Sequence, residues 1–376
     1  MIVVIALAVT RSWKSRPHTN SLPLLLGCIL VVIPVAFSFY LPATIEWWIE
    51  FLLLLFFIGA LRSLHVTRKE LVFWTVLSIV PHACLGLWQF THQIVDGTKW
   101  LGISAQQPLT AGVSVLPVFG QRILRAYGGF PHPNIFGGWL AFGLVMSMWL
   151  IDQAISRYQR WTLLVCTVLF SVALILTFSR SAWLACFVSL AILTFFLLQQ
   201  SWKERRWRWG LTALLCISVV TGITVFQQRS LIFTRFDTAA PSEVRSVSER
   251  KQALQDGLRL FKQHPLVGVG PGATAYALDA QTIPHTVPLL MLDELGIIGV
   301  VGLLLGLVSL FLKEGIRKLL RNQIAIFAFA LLFCLSLFDH YPWSLWSGHS
   351  LVALVILFLV LVDDGSSHLP FPRSSV

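Results

Sequence analysis

The sequence predicts an all-α polytopic membrane protein with about 10–12 transmembrane helices and one large extracytoplasmic loop. Three observations carry this prediction. The chain has 376 residues, 56% hydrophobic and 12% charged, against about 25% charged residues in a soluble domain. Apolar runs long enough to cross a bilayer, about 20 residues each, recur along the chain. Between them, every second loop is short and basic, the pattern of cytoplasmic loops in the positive-inside rule.

The spans are expected near 21–41, 46–61, 70–90, 133–152, 161–178, 182–199, 209–226, 289–312, 323–339 and 346–363. Ahead of them, Met1–Arg16 carries an apolar run too short to span, with its charges behind it rather than before it. It reads as a partial helix or the remnant of a span, not as a secretory signal. The basic loops hold Arg11, Lys14 and Arg16; Arg62, Arg68 and Lys69; Arg157 and Arg160; Lys203, Arg205, Arg206 and Arg208; and Lys313, Arg317, Lys318 and Arg321. These define the cytoplasmic side, and the tail from Asp363 joins them there. The net charge of +11 is thus a topology signal, and no nucleic-acid partner is expected. Cys28, Cys84, Cys166, Cys186, Cys216 and Cys334 all sit in apolar runs without a CxxC spacing, so neither a disulfide framework nor a zinc site is expected.

The remaining loops fall on the outer face: the turn near Pro42, the loop 91–132, the Ser179-Arg180 joint, the stretch 227–288, and the turn Asp339-His340-Tyr341-Pro342. The chain thus divides into an N-terminal bundle (1–226), an extracytoplasmic loop with an amphipathic helix (227–288) and C-terminal membrane helices (289–376). Every polar feature of note lies on the outer side.

Four of these features could carry chemistry. The first is Arg125-Ala126-Tyr127-Gly128-Gly129-Phe130-Pro131-His132-Pro133-Asn134. It is either a rigid turn that starts a helix, with Pro133 in the first turn, or an outer loop offering Arg125 and His132 to an anionic ligand. The second is Thr177-Phe178-Ser179-Arg180-Ser181, where two apolar helices meet almost without a loop. Arg180 there either snorkels to the interface or meets a lipid phosphate, which the planar guanidinium can grip with two hydrogen bonds.

The third is the helix beginning near Glu243. Val244, Val247, Leu254, Leu258 and Phe261 form an apolar stripe, with Lys251 inside it and Arg250 at its edge, so a helix lying on the membrane would aim both cations at headgroups. His264-Pro265 ends it. Gly268-Val269-Gly270-Pro271-Gly272 comes next, as a tight turn that brings backbone close to something. That turn lacks the spacing and the lysine of a nucleotide-binding P-loop. The fourth is His285, a candidate general base at the mouth of a span. Asp293 and Glu294 lie two turns further along that span and are expected to pair with outer-face arginines. Asp339 and His340 form a similar outer-face pair. With no HExxH and no DxD, neither a metal nor another cofactor is expected.

In this order, RAYGGFPHPN, TFSRSAWLA, SERKQALQDGLRLFKQHPLVGVGPG and PHTVPLLMLDELGIIGVVG resemble the motifs of the O-antigen ligase/polymerase superfamily of bacterial membrane glycosyltransferases, over roughly residues 121–300. The resemblance implies a GT-C-like architecture in the bacterial inner membrane. It also implies a donor glycan on undecaprenyl diphosphate in the outer leaflet, a lipid or glycan acceptor, and inverting transfer without nucleotide sugar or metal. Arg180 matches the arginine of the family's Ser-Arg motif, Arg250 that of its periplasmic helix, and His285 its late histidine. Gly268, Gly270 and Gly272 match its glycine turn, and Arg125 and Asn134 its earlier loop; Thr286 stands where the family has Asn. His285, Arg180 and Arg250 are then the expected catalytic residues. Arg125, His132, Asn134, Lys251, His264, the three glycines and Asp339 are the expected substrate contacts. A repeat-unit polymerase, a protein O-oligosaccharyltransferase and, outside the enzymes, a lipid or glycan transporter are the alternatives. The spans show no intramembrane charge relay, which speaks against the transporter.

Overall fold

A computed structural model describes residues 22–63, 66–99, 102–118, 120–154, 156–204, 208–236, 241–279, 283–314 and 322–360. The Met1–Arg16 segment, Arg205 and Arg206, the basic residues 317, 318 and 321, and the tail from Asp363 lie outside them. The described chain is almost wholly helical. The helices are α1 (Leu22–Val32), then a 3-10 turn (Ile33–Phe37), α2 (Leu41–Ser63), α3 (Arg68–His92), α4 (Pro133–Gln153), α5 (Arg157–Leu176), α6 (Arg180–Glu204) and α7 (Arg208–Gln227). They continue with α8 (Arg229–Phe236), α9 (Pro241–Gln263), α10 (Thr274–Leu278), α11 (Val287–Glu314), α12 (Gln323–Phe338), α13 (Tyr341–Ser344) and α14 (Trp346–Val360). One hairpin, β1 (Val115–Val118) with β2 (Gln121–Leu124), is the sheet content of the described residues.

Among the described residues, six helices are long and apolar enough to cross a membrane: α2, α3, α4, α5, α7 and α11. Four shorter apolar stretches, Leu25–Phe37, Arg180–Phe196, Gln323–Phe338 and Trp346–Leu359, coincide with the other four expected spans. The protein is therefore an all-α polytopic membrane protein. The described part of the 91–132 loop is structured. It contains the hairpin, and Val95, Ile103, Val113, Leu124 and Tyr127 close into a small core of their own.

The chain forms two compact units. The first comprises Met1–Gly59, Leu116–Ile123 and Ser230–Leu354; the second comprises Ala60–Val115, Leu124–Arg229 and Val355–Val376. In the second unit α4 is the central element, with 94% of its apolar window buried. Ser156 and Thr67 open α5 and α3 with capping boxes, each satisfying two orphan N-terminal groups. Loops assigned to one side by their charge meet each other here. Gly210 N–H donates to Asp152 at 3.1 Å, and Arg160 lies over the Trp209 ring at 5.7 Å. At the opposite ends of the same helices, the 125–134 loop meets the α5–α6 joint.

In the first unit α1 packs along α11. Small residues let the backbones approach, as is usual between membrane helices: a Cβ on Gly27 would stand 2.7 Å from the Gly302 carbonyl, and one on Gly302 would stand 2.8 Å from that of Gly27. The dominant feature of this unit is a break in α11. Gly296 has φ 61 and ψ −175, outside the helical region, so α11 is two helices joined across a kink. Only glycine adopts this backbone easily.

A broken helix frees backbone groups that a bilayer cannot hydrate. The segment after α9 takes them up. Val269 N–H donates to Asp293 O at 2.9 Å and Gly270 N–H to Glu294 O at 2.9 Å. In return Ile297 N–H donates to Pro265 O at 2.9 Å and Ile298 N–H to Leu266 O at 3.0 Å. Gly268, at φ 65, has no room for a Cβ, which would lie 2.5 Å from the Glu294 carbonyl oxygen. The glycine turn therefore brings its backbone against the broken helix. Its far side leans on the α1–α2 corner, where Phe39 N–H donates to Val269 O at 2.8 Å and Thr44 Oγ1 to Pro271 O at 2.8 Å.

Gly296→Ala is expected to lower stability by about 1–3 kcal/mol, because its Cβ would collide with the Leu266 backbone. Gly306→Ala, on the same helix with nothing within 4 Å of its Cβ, is expected to be neutral. Thermal unfolding of both variants in detergent checks the pair.

Candidate functional site

In the first unit, the sequence from α9 through the mouth of α11 converges on the α12–α13 corner. Helix α9 presents two apolar faces. Val244, Val247, Leu254 and Leu258 are exposed, so the stripe read from the sequence faces away from the protein, with Lys251 exposed among them. The packed face is made of Leu260 and two small residues, Ala253 and Gly257. A Cβ at Gly257 would stand 2.5 Å from Pro284 and 2.9 Å from Asp293 Oδ2, so the missing side chain is what seats α9 against the turn carrying His285. The spacing 253–257–260 is readable as a second helical face; its small size hides it.

His285 precedes α11 and lies against His340, with ring centroids 5.2 Å apart. Ligand atoms of His285, Asp339 and His340 all lie within 4.8 Å of one another, and these three side chains could together hold a metal ion. Asp339 is 5% exposed and caps α12, and its Oδ1 accepts the His340 N–H at 3.0 Å. His340 Nδ1 is tied to Ser344 Oγ at 2.6 Å, one turn along α13. His285 Nδ1 is buried without a hydrogen-bond partner among the described residues.

Burial pushes the His285 pKa below its usual value. The Asp339 carboxylate opposes this, the neighbouring His340 and Arg250 reinforce it, and Glu249 opposes it again. His340 is lowered as well, by burial first, against Asp339. Both imidazoles are therefore neutral near pH 7. A neutral imidazole with an open ring nitrogen beside a carboxylate can accept a proton, and the carboxylate stabilises the imidazolium that results. Arg250, half-buried on α9, is close enough for its charge to act on His285. The sequence places Arg250 and His285 at opposite ends of one loop; the structure brings them to one locus, with Asp339 and His340 added from a distant turn.

Asp293 and Glu294 depart from expectation. Neither makes a hydrogen bond to an arginine among the described residues. Glu294 accepts from Thr274 Oγ1 at 3.1 Å and from the Trp343 indole N–H at 2.7 Å, tying α11 to α10 and α13. Both oxygens of Asp293 are buried without a hydrogen-bond partner among the described residues. The first unit also holds a polar chain between its helices. His349 Nδ1 lies 2.9 Å from Glu50 Oε2, His349 Nε2 meets the Trp343 carbonyl, and the Trp343 side chain reaches Glu294. Pairing requires three-dimensional contact, which periodicity does not report.

His264 is exposed at the end of α9, and its carbonyl accepts the Gly268 N–H at 3.0 Å. Gly268, Gly270 and Gly272 face the α11 break and the Ser38–Trp47 corner. Their contacts are with protein backbone and side chains of this unit.

In the second unit, the 125–134 loop takes a structural part. His132 caps α4, its Nδ1 accepting the Asn134 N–H at 3.1 Å. Arg125 is 4% exposed, and its guanidinium is engaged by Thr177 O, Ser114 Oγ and Asn134 Oδ1 at 2.6, 2.7 and 2.8 Å. The expected ligand cation is thus fully surrounded by protein acceptors. Arg180 is half-buried at the first position of α6. Just before it Phe178 is buried at φ 50, which lets α5 turn directly into α6.

Residues 165–304 match the family model described as O-antigen ligase. The matched stretch runs from α5 into α11 and contains Arg180, Arg250, the glycine turn and His285. Arg125, His132, Asn134 and Asp339 lie outside it. A comparison with curated proteins returns no match.

The acidic limb tests the electrostatics of the cluster. Modification of His285 by diethyl pyrocarbonate, which needs the neutral imidazole, is expected to fall off only below pH 6.5, because the folded pKa is depressed from that value. Asp339→Asn removes the charge that raises it, so the midpoint should move lower still. Mass spectrometry of the modified peptide across pH checks both.

Proposed function

We propose that this chain, whose residues 165–304 match the O-antigen ligase family model, is a member of the O-antigen ligase/polymerase superfamily and transfers a glycan from undecaprenyl diphosphate to an acceptor hydroxyl on the outer face of the bacterial inner membrane. The observation that carries the reading is the convergence of Arg250, His285 and Asp339 on one locus, inside or beside the matched segment. The charge pattern of the loops supports the outer-face assignment, and the family supports a lipid-linked glycan as donor.

In this reading the acceptor hydroxyl gives its proton to the neutral His285 imidazole as its oxygen bonds to the anomeric carbon. The bond from that carbon to the carrier's phosphate oxygen breaks, and undecaprenyl diphosphate leaves with the electron pair. A single displacement inverts the anomeric centre. Asp339 stabilises the imidazolium. Arg250 supplies positive charge for the diphosphate beside His285, acting most strongly on the charge that develops as it leaves, and the family resemblance assigns the arginine of the Ser-Arg motif, Arg180, a diphosphate-binding role as well. The exposed stripe of α9, with Lys251 in it, lies on the membrane surface where such a carrier is presented. The reaction needs only proton transfer and fixed charge, and the proposed scheme is metal-independent. Ligation to a surface lipid-linked core is the favoured outcome because the matching family model is that of the ligases.

Arg180→Ala, Arg250→Ala and His285→Ala are each expected to reduce transfer by about 10²–10³-fold, the range for losing one preorganised stabilising group or base. The assay is glycan transfer by purified protein in lipid nanodiscs, with a lipid-diphosphate-linked glycan and an acceptor. Full activity in His285→Ala would remove the general base from the scheme.

A further inference from the structure

Arg125 is nearly inaccessible, at 4% exposure, yet it does not sit in the middle of a span. It belongs to the loop that enters α4, and its contacts lead to the α5–α6 joint. The Nε donates to Thr177 O at 2.6 Å, and one residue on, the Ala126 N–H donates to Leu176 O at 3.0 Å. These are carbonyls from the end of α5, the kind a helix leaves without intrahelical partners. A cation there also meets the negative end of the helix dipole. The rest of the fork is held by Ser114 Oγ and Asn134 Oδ1. Asn134 is itself fixed in the first turn of α4, its N–H bonded to His132 Nδ1.

Thr177 opens a run of constrained residues. Its Oγ1 donates to Leu174 O at 2.6 Å. Phe178 adopts φ 50, which a bulky side chain rarely takes, and is fully buried. Ser179 Oγ accepts the Ala182 N–H at 3.4 Å and so opens α6. Arg180 is the next residue. A left-handed turn at a phenylalanine persists only where the surroundings over-determine it, and the guanidinium of Arg125 grips the residue just before it.

We propose that Arg125, held by Asn134, is a positioning residue for Arg180: it locks the left-handed joint and thereby fixes the direction in which Arg180 leaves α6 toward a lipid diphosphate. This rests on the reading of Arg180 as a donor-binding cation. It gives the RAYGGFPHPN motif a task different from ligand contact. It also explains why the residue is arginine, since three acceptors in different directions require a fork and a lysine supplies a point charge.

The test is a double-mutant cycle read as affinity for undecaprenyl diphosphate, measured on the full-length protein in nanodiscs. Arg125→Lys keeps the charge and loses the fork, and is expected to weaken binding about tenfold or more, the size of a lost charged hydrogen bond. In the Arg180→Ala background the same change is expected to cost less than about twofold, since the residue it acts through is gone. Should Arg125→Lys fail to assemble, Asn134→Leu, which removes the Nη2 acceptor, carries the same cycle. Equal losses in both backgrounds, or no loss in the first, would overturn the positioning role. Wild-type affinity in Arg180→Ala would instead overturn the reading of Arg180 itself, and the positioning role with it.

Discussion

The break in α11 at Gly296 is the constraint from which the first unit is built. A helix inside a bilayer cannot leave carbonyls and amides unpartnered, so a break there demands a dedicated partner. The segment 265–270 is that partner, exchanging four backbone hydrogen bonds with residues 293–298. Once it is committed, the position of α9 is set, because the same segment is its continuation. The small face of Ala253, Gly257 and Leu260 then closes against the turn that carries His285. Arg250, on the same helix, comes close enough for its charge to act on the histidine. The glycine cluster, which draws the eye as a ligand loop, has close approach to a broken helix as its physical reason.

A second strain site governs the other unit. There α5 passes into α6 without a loop, through a phenylalanine at positive φ, and the carbonyl before it is capped by a buried arginine. The two units thus solve a similar problem differently. Each interrupts a helix, one through a glycine kink healed by backbone, the other through a left-handed turn held by a guanidinium. In both cases the interruption is a point in the fold where the chain departs from regular geometry.

Much of this is legible in the sequence because hydrophobicity and charge report on the bilayer directly. Ten apolar segments and the alternation of basic loops arise from the cost of moving charge and backbone out of water. Arg180 stands out as a candidate because it interrupts apolar surroundings, and Arg250 and His285 because the order of their motifs resembles a family pattern. The features that stay hidden depend on contacts far apart in sequence. Arg125 looks like a free cation until Thr177 and Asn134 close on it. Asp293 and Glu294 look like partners for arginines until Thr274 and Trp343 fill that role for Glu294. Gly257 sits at helical spacing from Ala253 and Leu260, but its contribution is the absence of a side chain, which an apolar pattern does not display. The polar chain from Glu50 through His349 to Trp343 joins helices at opposite ends of the sequence, beyond the reach of any local pattern.

The most direct measurement is the fate of the lipid carrier during transfer by the purified protein. A donor glycan labelled at its anomeric carbon and carried on undecaprenyl diphosphate is supplied with acceptor in nanodiscs. The account predicts one undecaprenyl diphosphate released per glycan transferred, with the anomeric configuration of the new linkage inverted by NMR. Retention of configuration, or transfer without release of the diphosphate carrier, would contradict a single displacement with His285 as the base.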